Sequence, residues 1–269
     1  MRLVSLIRID ALSPSEGRSR VRFIVSLSLM AFSLGLGPPG HAGDVRVTVE
    51  FDGGASYRFS RPERRQIKAI AERTLVEVRE LLPSLGPKLK LTVTAGSRVI
   101  PEIGSVGAAV APGVITWTVD PDRPEGVDGV AANHLRPTLF HELHHQARGW
   151  VMQGGKPRTT FMEAVVSEGL ATAFERDAAG SQPLWGQYSE EVEDWVDELK
   201  ALSAAEGFGD YGRWMFQHPD GRRWIGYRAG TYIADRAIAN SGKSAAELLK
   251  TSVDELLDLA GMARDEDRR

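Results

Sequence analysis

The chain of 269 residues contains no cysteine. That absence removes disulfides, catalytic thiols and thiolate metal sites together, and with them anchoring through a lipidated cysteine. A metal held by this chain must therefore sit on histidine and carboxylate. Aromatic residues are sparse at 7%, yet 42% of the residues are hydrophobic and 26% charged, which is ordinary globular composition with length for one large or two small cores. A surplus of positive charge is missing as well, since the formal net charge is −3. Nothing is left over to neutralise a phosphate backbone, so nucleic acid is not an expected partner.

Long hydrophobic runs are also lacking, with one exception near the N-terminus. Arg18, Arg20 and Arg22 precede an apolar run from Phe23 to Leu36, and Gly-Pro-Pro-Gly-His-Ala-Gly-Asp follows it. This order of charged start, apolar centre and small-residue exit predicts a signal peptide over residues 1–42, with cleavage after Ala42 and export to a periplasmic or secreted location. The run is short for a membrane span, so a retained anchor is the alternative and no stable span is expected after processing. Residues 1–42 carry five Arg against one Asp and one Glu, so their removal leaves a formal charge of about −6.

What is present is organised around Pro137-Thr-Leu-Phe-His-Glu-Leu-His-His145, which contains H-E-x-x-H at His141, Glu142 and His145. Residues four apart on a helix stand one turn above each other, so two imidazoles can reach one ion from the same face. Glu142 lies about 100° round from His141, where a carboxylate can take a proton from a water at the metal's open position. Leu139, Leu143 and Ala147 supply apolar positions at helical spacing, Pro137 suits a first turn and Gly149 an exit. His144 pairs with His141 at i, i+3 and is an alternative second ligand, although the general base would then lose its usual offset.

The remaining chain reads as strands first and helices later. Val45 to Phe51 alternates with a period of two, and with the turn Asp52-Gly53-Gly54 and Tyr57-Arg-Phe59 it predicts an opening hairpin. A helix is expected from about Ser60 to Leu82, with Pro62 in its first turn, then strands at Leu89–Thr94 and Val114–Val119. Gly104-Ser-Val-Gly107 reads as a glycine-rich turn, and the acids from Asp120 to Asp128 as a surface connection and not a calcium loop. After a polar link at residues 154–158, a second helix runs from Thr159 to about Ala178. Further helices are expected at Glu190–Ala205 and Trp224–Ala239, with two short ones ending at Leu259. The tryptophans of this last third read as core and cleft wall.

The second helix should hold a third ligand. Glu168 has Ala164, Val165, Ala171 and Thr172 one turn away on either side, which places its carboxylate on a buried face where it must be paired or bound to a metal. Glu163 is the competitor for that role. Gly169 weakens a helix interior by about 1 kcal/mol relative to alanine, which makes sense where two helices must approach closely. Gly226 and Gly230 make a similar face four residues apart.

Thr138-Leu-Phe-His-Glu-Leu-His-His145 and Ser167-Glu-Gly-Leu-Ala171 together resemble the gluzincin class of zinc metallopeptidases. More closely, they resemble exported predicted zinc-dependent proteases that pair a T-L-x-H-E-x-x-H helix with a downstream S-E-G-L-A helix. The resemblance covers the chain from the Val114 strand onward. It implies a zincin-like α+β metallopeptidase domain over residues 43–269, with sheet and metal helix in 43–150 and a helical part in 151–269. It implies Zn2+ held by His141, His145 and Glu168, with Glu142 as the catalytic base and a peptide or protein as substrate. It also implies an oxyanion donor from the C-terminal helices, for which Tyr227 and Tyr232 are the candidates, Tyr227 preferred and His218 an outside choice. One departure stands out. Thermolysin-like members carry an Asp one turn after the ligand Glu to orient a zinc histidine, and here that place is Thr172, so the orienting group must come from elsewhere. The rival readings are a zinc amidohydrolase acting on non-protein amides and a metal-binding scaffold without turnover, against which the intact Glu142 argues.

Overall fold

The computed structural model describes residues 45–54, 57–153, 160–202 and 204–262. The expected signal peptide and the link at 154–158 lie outside these residues. The chain is an α+β domain whose strands all precede its metal-motif helix. Strand β1 (Arg46–Asp52) leads through helix α1 (Arg61–Leu81) to β2 (Lys88–Ala95), and β3 (Ser105–Ala111) turns back into β4 (Val114–Val119). The sheet order is β1-β2-β4-β3, so β3 is an edge.

The opening hairpin does not form. β1 pairs in parallel with β2, Val47 opposite Leu89 and Val49 opposite Leu91, and a parallel pair needs a crossover, which α1 provides. Tyr57 to Phe59 is instead the extended lead-in to α1, fixed by packing of the Phe59 ring against Phe51 and Tyr57 at 5.2 and 5.1 Å. Alternating residues look the same whether their alternate faces meet a sheet partner or a local aromatic cluster. The helix then starts on a capping box, with Ser60 accepting from the Glu63 backbone and Glu63 reaching back to Ser60. A second departure is β3: Ser105 to Ala111 is a strand, antiparallel to β4, and it takes in most of Gly104–Gly107, where the glycines suggested a turn.

The metal-motif helix is longer than its sequence signals imply. α2 (Gly126–Val130), a π-helical turn (Ala131–Leu135) and α3 (Arg136–Arg148) run on without a break. Pro137 therefore sits inside a helical run and not at its start. The missing proline N–H and the ring's clash with the preceding turn are accommodated by the wider π turn just before it, and Thr138 Oγ1 donates to the His134 carbonyl at 2.7 Å. The exit is as expected, with Gly149 in the left-handed region at φ 85°.

The helical part comprises α4 (Phe161–Ala179), α5 (Val192–Ala201), α6 (Ala204–Gly209), α7 (Tyr211–Met215), α8 (Ile225–Ser241) and α9 (Val253–Ala260). Only α9 represents the two short helices expected at the end, and residues 245–250 are turns. α4 is buried on almost every face from Phe161 to Glu175, as expected of a helix surrounded by α3 and α8. Its crossing with α8 is glycine on glycine. A Cβ on Gly169 would stand 1.9 Å from the backbone carbon of Gly230, and one on Gly230 would stand 2.0 Å from the Val165 carbonyl oxygen. The stabilising gain from that close approach offsets the conformational entropy that glycine loses in a helix. No helix among the described residues is long and apolar enough to cross a membrane.

Candidate metal centre

α3 and α4 bring three side chains to one point. His141 Nε2 lies 3.1 Å from Glu168 Oε2, His145 Nε2 lies 3.1 Å from the same oxygen, and the two nitrogens are 3.1 Å apart. Among the described residues this is the one His, Asp or Glu cluster whose atoms could hold a metal ion. Donors bonded at about 2.0–2.1 Å to one tetrahedral ion stand roughly 3.3 Å from each other, so the near-equilateral triangle fits such an ion with little adjustment. Two nitrogens and an oxygen, with no sulfur, suit zinc. All three residues are buried, and two imidazoles and a carboxylate with their donor atoms converging out of water are costly unless something is shared between them.

Helix geometry explains the convergence. The histidines are one turn apart on α3, and Glu168 reaches them because Ala164 and Ala171, one turn away on either side of it, leave the α4 face that carries it small. Glu163 is not brought here: it lines a separate pocket with Arg148 and Lys250, and its charge acts on Arg148. His144 is fully buried, but its ring stacks against Phe174 at a centroid distance of 5.3 Å and it does not join the cluster. Burial, with the neighbouring His145 and Arg148, holds that imidazole neutral.

The carboxylate that faces the outer nitrogen of His141 is Glu175, which the sequence reading missed. Its Oε2 lies 3.3 Å from His141 Nδ1, while its Oε1 accepts from Ser181 Oγ at 3.1 Å. The signal was available: Glu175 follows Glu168 by seven residues, two turns along the same face of α4. Burial alone would lower the His141 pKa, but the hydrogen bond to Glu168 and the close Glu175 carboxylate outweigh it and raise the imidazole to about 10. Burial likewise works to raise Glu168, yet the charges of His145 and His141 and their hydrogen bonds hold it well below the usual carboxylate range.

Glu142 stands beside the triangle, under the edge strand. Burial pushes its carboxyl upward against the opposing pull of His141 and His145, and a backbone hydrogen bond from Ala109 steadies it. Contact with β3 is possible because residue 107 is glycine: a Cβ there would lie 2.4 Å from Thr138 Cγ2 and 3.0 Å from Glu142 Cγ. Gln146 pins the β3–β4 turn onto α3. Its amide nitrogen donates to the Ala111 and Val114 carbonyls at 2.8 and 3.1 Å, and its oxygen accepts from Gly113 N–H at 2.7 Å. The role of Gly107 could not be read from Gly104–Gly107, which looked like a turn.

The two candidate tyrosines part company. The Tyr227 ring lies 6.3 Å from that of His141, and burial with the nearby Glu168 and Glu142 charges keeps the phenol protonated well above its ordinary pKa. Tyr227 reaches the cluster because Gly230, three residues on, lets α8 lie directly on α4. Tyr232 is not brought there. Five residues turn the helix by about 140° from Tyr227, and its hydroxyl donates to Glu193 on the outer side. His218 is also elsewhere, its Nδ1 2.8 Å from Asp220 Oδ2 and its ring against Trp214.

Two cavities meet at the cluster. One of about 350 Å³ is lined by His141, Glu142, Glu175 and Tyr227 together with apolar side chains. The other, about 480 Å³, includes Glu142, His145, Glu168 and Tyr227. The arrangement offers a cation site, a carboxylate that can exchange a proton beside it, and a phenol that can donate a hydrogen bond across it.

A family described as predicted Zn-dependent protease (DUF2268) matches residues 64–258. No curated protein matches the chain. The match spans more than half of the sequence and includes every residue of the cluster, so the chain belongs to that family.

Proposed function

We propose that this family member hydrolyses peptide bonds with a zinc ion held by His141, His145 and Glu168, in the manner of gluzincins. The observation that carries the reading is the 3.1 Å triangle of two imidazole nitrogens and a carboxylate oxygen with Glu142 beside it. Bound there, zinc supplies Lewis acidity, lowering the pKa of a water towards about 7 and polarising a carbonyl. The chain's own groups do the rest. Glu142 accepts the proton of the attacking water and passes it to the nitrogen of the departing amine, and its upward-shifted carboxyl suits a group that must both take and give a proton. Tyr227, held protonated, donates a hydrogen bond to the carbonyl oxygen as negative charge gathers on it. Glu175 fixes the His141 ring with Nε2 directed at the triangle.

The test is metal analysis joined to a peptide assay. Purified chain should carry one zinc, lose it on Glu168→Gln and keep it on Glu163→Gln, and its peptide hydrolysis should stop with a chelator and return with zinc. Metal retained by Glu168→Gln but lost by Glu163→Gln sinks the ligand assignment. Export is part of the same proposal, on the strength of the Arg-flanked apolar run and the small residues before Gly43. N-terminal sequencing from the native compartment should start near Gly43, whereas a full-length membrane-bound product supports an anchor.

A further inference from the structure

The smaller cavity beside His141 and Glu142 differs in chemistry from the cluster it opens onto. Away from the metal end its walls are Ile100, Ile103, Val106, Trp185, Phe216 and Trp224. Its charged groups are few. Glu175 is divided between His141 Nδ1 and Ser181 Oγ, Glu142 lies at the cluster, and Arg98 is exposed. No carboxylate is free to receive a basic side chain, and an acidic one would have to enter an apolar cavity that already holds two carboxylates. About 350 Å³ is ample for one large side chain and at the small end for a ligand pocket.

Phe216 gives this cavity its boundary. It is 44% exposed, unusual for a large apolar residue, and it lines both cavities at the cluster. Its ring is propped by Trp224 at 5.8 Å and Tyr227 at 6.2 Å. It therefore stands beside the donor phenol, in the wall that both cavities share.

Resting on the peptidase reading, we infer that the smaller cavity is a subsite for one bulky apolar side chain, aromatic or branched aliphatic, next to the cleaved bond, and that Phe216 is the wall that makes it selective. The zinc-loaded full chain, given a degenerate peptide library read by mass spectrometry, should cleave with such a residue at one position beside the bond. Preference over alanine there should be about 10- to 200-fold, the range a hydrophobic pocket can supply. Phe216→Ala should keep its zinc and lose most of that discrimination, and Ile103→Glu should turn the preference towards Lys or Arg. Cleavage without preference at that position, or preference for a charged residue in the parent chain, overturns the subsite while leaving the peptidase reading intact. A binding readout separates the two claims. Trp185 and Trp224 line the cavity, so N-acetylphenylalaninamide should change tryptophan emission saturably, N-acetylaspartamide should not, and Ile103→Glu should abolish the response. A flat titration with the phenylalanine amide overturns the subsite even if no peptide is cut. Saturable binding with no cleavage of any library member supports the subsite and overturns the hydrolase.

Discussion

The sheet layer and the seam between α3 and α4 are built on opposite terms. Around β2 and α1 the interior is apolar: Leu91, Val93, Ile115 and Leu75 are fully buried, and the buried polar groups on these strands and α1 are Thr74 and Ser105. In the seam, His141, Glu142, His144, His145, Ser167, Glu168, Thr172 and Glu175 are all buried within two helices. Burying titratable groups at that density is a poor way to stabilise a fold, because desolvation rivals what pairing returns. The contrast teaches that the sheet and α1 supply stability and the seam consumes part of it to hold chemistry. Substitutions in the two regions should therefore separate into different observables.

The largest expected effect is in the seam. Glu142→Gln should keep zinc and structure but reduce peptide hydrolysis by at least about 10²- to 10⁴-fold, since an amide of equal size cannot accept the proton. Activity within a few-fold of the parent would remove Glu142 from the mechanism. The converse variant belongs to the sheet. Leu91→Ala should lower unfolding free energy by about 2–5 kcal/mol in denaturant titration while zinc affinity and turnover at permissive temperature stay as in the parent. If it also released zinc, the two regions would not be separable as described.

Two tyrosines on one helix sharpen the comparison further. Tyr227→Phe should reduce kcat by about 10²- to 10³-fold with metal content unchanged, and Tyr232→Phe should leave kcat within about two-fold, because its partner is Glu193 on the outer side. Equal effects from both would mean that α8 only shapes the cleft. The smallest effect in the seam should come from Glu175→Gln, which should weaken zinc binding by about 10- to 100-fold in competition with a chelator. Its sign in proton release is fixed. In the metal-free chain the His141 pKa is raised to about 10, so the imidazole is protonated at pH 8 and zinc must displace that proton. Uptake in weak buffer at pH 8 should release about one proton per zinc from the parent chain and less from Glu175→Gln, in which one of the groups raising that pKa is gone.

Periodicity and spacing carried a good part of this molecule. The H-E-x-x-H offsets put two imidazoles on one face of a helix whatever surrounds it, and the small residues around Glu168 marked a carboxylate pointing inward. Gly169 and Gly230 were visible as sites of close approach, and the capped helix after Ser60 follows from its own local chemistry. These are short-range facts, set by 3.6 residues per turn and by what one side chain does to its own backbone. Failures came where a neighbour distant in sequence decides. Tyr57–Phe59 has the alternation of a strand, but β1 gains its partner from β2 beyond a whole helix. Gly104–Gly107 looks like a glycine-rich turn because Gly107 serves Glu142 and Thr138 on α3, more than thirty residues on.

By itself, then, the sequence determined which residues could bind a metal, that no thiolate could help, and that strands would precede a helical half. Tertiary structure decided the rest. It supplied Glu175 where thermolysin-like members use an aspartate, a carboxylate that meets His141 only once α4 lies on α3, and it brought Tyr227 to the cluster and left Tyr232 outside it through the glycine crossing of α4 with α8. The division has a physical cause: ligand spacing is a property of one helix, whereas orientation of a ligand and the choice of a donor depend on the distance and rotation between two helices, which packing alone sets.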